Sequence, residues 1–171
     1  MYQTFETDRL ILRPTNIDDA PFIYELLNTP KWLQYIGDRQ ITSVEVAQKY
    51  IEEKMLPQLK EFGYSNYTII RKIDQQKIGS CGLYNRDGLD GIDLGFAFLP
   101  AYEKMGFAFE AANILKEAAF IHFKLKTLLA ITSKENTSSQ KLLEKLGLKY
   151  SGTTTLPNDS EELLLYKIEN K

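Results

Sequence analysis

Little in this sequence invites disulfide, metal or polyanion chemistry. Its one cysteine, Cys81, cannot close an internal disulfide and lacks the partners of a zinc cluster, so we expect no metal site. Basic and acidic residues nearly cancel, 21 against 23, and a net charge of −2 exerts no global pull on DNA, RNA or an anionic membrane. No apolar run approaches the length of a membrane span, and the opening MYQTFETDRLILR lacks the apolar stretch of a secretion signal. These absences lead us to expect a cytoplasmic chain with no nucleic-acid and no membrane partner. No repeat or low-complexity linker interrupts it, so residues 1–171 read as a single domain with a core over about 8–168. What is present is apolar mass. Hydrophobic residues make up 43% and aromatics 12%, too much for a disordered chain and enough to bury a sizeable core.

Periodicity then orders the elements. Leu10–Leu12 alternate and stop at Pro14, as a short first strand does. A helix is expected from about Asp19 to Leu27, with Asp18 as its N-cap and Pro21 in its first turn. Trp32–Ile36 form an irregular apolar patch. Thr42 and Glu45 have capping-box spacing ahead of a helical period at Val44, Ala47, Ile51, Met55, Leu59 and Phe62, which Pro57 should kink or end. Tyr67–Arg71, Lys77–Tyr84 and Ile92–Leu99 are strand-like runs separated by turn residues, which predicts an antiparallel meander. Phe107, Ala111, Ile114, Leu115 and Ala118 mark a helix of about four turns or more. Thr127–Thr132 reads as a strand, Ser138–Leu146 as a helix ended by Gly147, and Leu148–Tyr150 and Leu163–Tyr166 as two closing strands. The strand flanked by helices predicts one parallel pairing near the middle of a mixed sheet, in an α/β domain of the α+β type.

Two segments carry chemistry. In Leu99-Pro-Ala-Tyr-Glu-Lys-Met-Gly-Phe-Ala-Phe109 a strand ends and a small-residue turn opens a long helix. Unpaired N–H groups and the positive end of the helix dipole face that turn, a setting suited to a phosphate or diphosphate, and Gly106 permits close backbone approach. An ordinary helix start with a turn-easing glycine would look the same. In Thr132-Ser-Lys-Glu-Asn-Thr-Ser-Ser139 a strand runs into a second helix, where Asn136 can cap the helix and hold a cofactor amide. Ser139 lies at the helix entrance, and Lys141 can reach a phosphate. Leu142, Leu143 and Leu146 are accounted for as an amphipathic helix's core face.

These segments together resemble the GNAT superfamily of acetyl-CoA-dependent N-acetyltransferases. Ile92-Asp-Leu-Gly-Phe-Ala-Phe-Leu-Pro100 is similar to its central strand, and Glu103-Lys-Met-Gly-Phe-Ala108 to its diphosphate loop. Asn136-Thr-Ser-Ser139 before Leu142-Leu-Glu-Lys-Leu-Gly-Leu148 resembles the family's later helix, and Thr7-Asp-Arg-Leu-Ile-Leu-Arg-Pro14 the opening of its Rim-type branch, which includes ribosomal-protein N-terminal acetyltransferases. The chain departs from the pattern at Glu103, where Gln or Arg is usual, at Lys104, often Gly, and at Phe109, often Thr or Ser. Glu103 thereby sets a negative side chain near the expected diphosphate.

The resemblance implies a mixed, mostly antiparallel sheet with helices on both faces and a splayed acetyl-CoA cleft. It implies acetyl transfer from acetyl-CoA, used as co-substrate, to an amine acceptor, a small molecule or a protein N-terminus, by direct attack in a ternary complex. A catalytically weak domain that only binds the ligand is the alternative. The cofactor set it points to is Phe98, Leu99, Lys104, Met105, Gly106, Phe107, Ala108, Phe109, Asn136 and Lys141, with the N–H groups of Phe98 and Leu99 holding the carbonyl and pantetheine. Asp93 is the preferred base, a solvent-facing strand residue being the plain alternative, and Ser139 and Asn136 attend the sulfur, with Ser139 the candidate acid. His122 reads as structural, Cys81 as a small buried hydrophobe, and Glu52-Glu53-Lys54 as a solvated helix face. Trp32, Tyr35 and Tyr84 line an acceptor pocket or are simply core. Both a monomer and a homodimer remain open.

Overall fold

A computed structural model describes residues 2–170. The strands are β1 (Phe5–Glu6), β2 (Leu10–Pro14), β3 (Asn66–Arg71), β4 (Gln76–Asn85), β5 (Ile92–Phe98), β6 (Thr127–Thr132), β7 (Lys149–Thr154) and β8 (Leu163–Glu169). They form one eight-stranded sheet in the order β1-β2-β3-β4-β5-β6-β8-β7. Every neighbouring pair is antiparallel except β5 and β6, where the expected parallel junction falls.

Side-chain alternation sorts the sheet into two faces. One presents Leu12, Ile69, Cys81, Leu83 and Leu94 to the helices α4 (Phe107–Ile121) and α5 (Thr137–Lys145). Ala111, Ala112 and Ala119 are fully buried on α4, and their small side chains let the helix lie close to the strands. The other face carries α1 (Ala20–Leu26), α2 (Val44–Tyr50) and α3 (Leu56–Phe62), whose core closes over Ala97 and Leu99. Helices therefore cover both faces.

Local chemistry differs from expectation at three helix starts. Asn16, not Asp18, caps the short 3₁₀ turn that leads into α1; its side chain accepts from the Asp18 N–H. Asp19 is fully buried there, bound by Arg13 at 2.8 Å and Lys77 at 2.7 Å and accepting from Thr68 at 3.0 Å. Ser43, one residue beyond the expected Thr42, caps α2 by accepting from the Val46 N–H at 3.1 Å. Pro57 does not end its helix. A π-helical stretch, Ile51–Met55, takes up one extra residue per turn, and α3 restarts with Pro57 in its first turn, where no N–H is needed. Trp32–Ile36 is likewise a π-helical turn, closed by Gly37. At the far end α5 stops at Gly147, φ +98°, with the Leu148 N–H reaching back to the Leu143 carbonyl.

Candidate active site

The site begins with a defect in the sheet. β5 and β6 are joined at the single pair Asp93–Leu129, and beyond it the two strands part. On β5 the Leu99 N–H donates to the Ile78 carbonyl of β4 at 2.9 Å. Antiparallel alternation then turns the Phe96 and Phe98 N–H groups the other way, into the gap. Phe96 and Phe98 thus turn their N–H groups to the β6 side of β5, although Phe98 lies beyond the residues that line the cavity described next. Leu99 does not: its N–H is engaged within the sheet and its side chain is packed in the α1–α3 core, which corrects its expected place among the cofactor residues.

A cavity of about 590 Å³ runs through this gap from one face of the sheet to the other. Phe96, Thr132, Asn136, Ser139 and Leu143 line it on the α5 side, and Trp32, Tyr35, Tyr84, Asp93 and Gly95 on the α1–α3 side. The three expected reaction residues, Asp93, Asn136 and Ser139, therefore share one space, with all three aromatic candidates. Asn136 caps α5, its Oδ1 accepting from the Ser139 N–H at 3.3 Å. The Thr132 Oγ1 and Trp32 Nε1 are buried without a hydrogen-bond partner among the described residues. Buried polar atoms are rarely left so, and both belong to residues on the cavity wall.

Asp93 is not a solvent-facing strand residue. It is 1% exposed, and the Arg86 Nε donates to its two carboxylate oxygens at 2.9 and 3.0 Å. Burial raises its pKa above the ordinary carboxylate value, and the Arg86 charge works against that rise. Arg86 in turn lies over the Tyr84 ring, 4.8 Å from its centre. That ring sits flat across Gly82 and Gly95, a cross-strand pair, and its hydroxyl donates to the Asn66 Oδ1. A Cβ at Gly82 would fall 2.3 Å from the Tyr84 Cζ. Arg86 and Asn66 line the cavity and hold Asp93 and Tyr84, and sequence reasoning misses both. Arg86 follows directly on β4 and falls beside Asp93 because Tyr84 stands opposite Asp93, a register that spacing alone does not reveal.

The loop before α4 forms a separate, open lip. Lys104 adopts φ +61° and Gly106 φ +83°, so the position where the family favours glycine does require left-handed backbone, which Lys104 supplies at some strain. From Lys104 to Phe109, six consecutive N–H groups have no acceptor among the described residues. They open a 15-residue helix, whose dipole adds positive potential there. Lys104, Met105 and Gly106 line the open side of the lip, Phe107 is buried in the core, and Ala108 and Phe109 are half-buried, with the Lys145 ammonium 4.3 Å above the Phe109 ring. None of these six residues lines the cavity, nor does Lys141, which is exposed on α5. Glu103 does not point a free charge at the lip, for its carboxylate is paired with the Lys31 ammonium. His122 is exposed, edge-on to Phe5 and Phe123, and lies outside the cavity. Cys81 is fully buried, and burial pushes its thiol well above the ordinary value, so it is inert.

A gap in a mixed sheet beside a helix N-terminus rich in free N–H groups matches the cleft expected of the resembled family, and similarity to known proteins bears on it directly. Residues 9–149 match the family model described as an acetyltransferase (GNAT) domain. The chain is a GNAT N-acetyltransferase. Members of this family draw their acetyl group from acetyl-CoA and deliver it to amines. A curated relative, the uncharacterized N-acetyltransferase p20 of Bacillus licheniformis, is 30% identical over 152 residues, spanning 88% of this chain and 84% of its own. The uncharacterized N-acetyltransferase YnaD of Bacillus subtilis is 25% identical over 146 residues, 85% and 82% of the two chains. Among solved structures, an acetyltransferase of Agrobacterium tumefaciens superposes with a TM-score of 0.84 at 24% identity, over 99% of this chain and 96% of that one. The ribosomal L7/L12 acetyltransferase RimL, in complex with coenzyme A, superposes at 0.82 with 15% identity over 98% of each chain. At those identities the likeness shows the fold, a mostly antiparallel GNAT sheet flanked by helices. Among the described residues no helix is long and apolar enough to cross a membrane.

Proposed function

We propose that this GNAT N-acetyltransferase moves the acetyl group of acetyl-CoA to a primary amine by direct attack, with both substrates meeting in the β5/β6 gap. The observation that carries this reading is the cavity itself, which crosses the sheet with Phe96, whose N–H is turned away from β4, at one wall and the buried Asp93 carboxylate at another. The chain's own groups fit the donor. Its diphosphate matches the free N–H groups of Lys104–Phe109, with Lys141 in reach of a phosphate, and its pantetheine amides match the Phe96 and Phe98 N–H groups. The donor supplies an activated thioester carbonyl. One of the same two N–H groups receives the carbonyl oxygen as negative charge builds on it. The amine approaches from the α1–α3 side, where Asp93 takes its proton directly or through water as the N–C bond forms and the C–S bond breaks. The start of α5 faces the sulfur: the Asn136 Nδ2 donates to the departing thiolate, and Ser139 passes it a proton and takes one back from solvent, while Asp93 releases the amine proton to solvent.

The test is thiol release from acetyl-CoA across a panel of amines and peptides, with the acetylated product identified by mass. Gly106→Glu should reduce coenzyme A affinity by at least about tenfold, since it sets bulk and negative charge amid the free N–H groups at a left-handed position. Unchanged affinity in a folded variant places the diphosphate elsewhere, and no product with any amine removes the reaction.

A further inference from the structure

Arg86 carries a feature that its partnership with Asp93 does not explain. Only its Nε is bound to the carboxylate, and neither terminal amino group has a hydrogen-bond partner among the described residues. Those two groups belong to a half-buried side chain on the cavity wall and keep some exposure to solvent. A guanidinium whose edge is fixed by one carboxylate and by an aromatic ring beneath it presents its remaining donors in a set direction. Arg39 and Lys54 line the same cavity and are likewise without ion-pair partners among the described residues. Three acids also line it. Asp93 is engaged by Arg86, while Asp159 and Glu161 sit exposed on the β7–β8 loop.

We infer that the acceptor is a free amino acid whose own carboxylate docks on the terminal amino groups of Arg86. This rests on the proposed transfer chemistry for its amine half. The amine must reach Asp93, and the carboxylate must reach the far side of the guanidinium that holds Asp93. Both demands fall within the width of one guanidinium group, so amine and carboxylate are separated by one or two carbons. An α- or β-amino acid has that span. A peptide N-terminus does not, because its carboxylate lies at the far end of the chain. Trp32, Tyr35 and Tyr50 on the cavity wall suit an apolar or aromatic side chain.

The experiment compares free amino acids with their carboxamides, phenylalanine and leucine first, using intact protein and acetyl-CoA. The carboxamide amine is the less basic and, on nucleophile availability alone, the better acceptor. We expect the opposite, with kcat/KM at least about tenfold higher for the acid. Arg86→Lys keeps a cation beside Asp93 but deletes both terminal amino groups, and it should collapse that preference. Calorimetric titration with phenylacetate and phenylacetamide, in the presence of coenzyme A, reads the same site without turnover. Phenylacetate should bind at least about tenfold more tightly in the wild-type protein and lose that margin in Arg86→Lys. Amines acetylated with no preference for the carboxylate overturn the anion site while the transfer reaction stands. Arg86-dependent phenylacetate binding with no acetylated product supports the site and removes the reaction. Equal or absent binding of phenylacetate and phenylacetamide overturns the inference outright.

Discussion

Gly82→Ala is a small change with a calculable reach. The added Cβ would lie 2.3 Å from the Tyr84 Cζ and 2.4 Å from its hydroxyl oxygen, against the 3.4 Å at which ordinary contact begins. The ring must therefore retreat by roughly an ångström or more. All three near contacts are atoms of that one side chain and none is backbone, so β4 and β5 can keep their pairing. The ring's open direction is the cavity. Moving there breaks the Tyr84–Asn66 hydrogen bond, a net loss of about 0.5–1.5 kcal/mol. Residual crowding adds about 1–3 kcal/mol. Arg86 rests on the displaced ring, so its hold on Asp93 loosens as well. Urea unfolding should show a loss of about 1.5–4.5 kcal/mol. Acceptor kcat/KM should fall by about 10- to 100-fold, while acetyl-CoA affinity stays within about twofold. The reasoning fails if acceptor kinetics are untouched, or if cofactor affinity falls in step with them.

Two other variants probe the carboxylates. Asp93→Asn should lower turnover at neutral pH by about 10²- to 10⁴-fold, with partial recovery as rising pH delivers more neutral amine; full turnover across the range would acquit Asp93 as base. In the wild type, burial raises the pKa of Asp93, so the acid limb of the rate profile should sit above the usual carboxylate range and vanish in the variant. Asp19 behaves in the opposite sense. Burial alone would raise its pKa, but hydrogen bonds from Arg13, Lys77 and the Asn16 N–H overcome that and hold it well below the ordinary range. The stability it contributes is present above the unfolded carboxylate pKa, near 4, and drains away as pH falls below it. Asp19→Asn should lose about 3–5 kcal/mol at pH 7 and flatten the decline of urea midpoints between about pH 5 and 3, and equal slopes in the two proteins would contradict this.

What the sequence made legible was local. The caps and turns around Asn136, Gly106 and Gly147 depend on neighbouring residues, and each lies where its spacing put it. The parallel junction was legible because a strand between two helices has few other ways to rejoin a sheet. The parity of the β5 donors was not. Whether position 98 or 99 faces the gap depends on which residue of β4 stands opposite, and register is a long-range property. The pairing of Glu103 with Lys31 spans 72 positions, and no spacing rule reaches that far. Pro57 misled for another reason. A π-helical stretch preserves the apolar period closely enough that the extra residue leaves no trace in it.

The single rung between β5 and β6 divides the sheet mechanically into two plates, β1–β5 and β6–β8. Because α4 touches strands of both, it acts as the splint across the seam. A ligand seated in the seam, matched to the idle β5 donors, serves as a temporary strand and adds the missing rungs. Occupancy and rigidity are then the same event. The open seam, proposed above to admit two substrates from opposite sides, is also the hinge line along which the unliganded protein should be most free to flex.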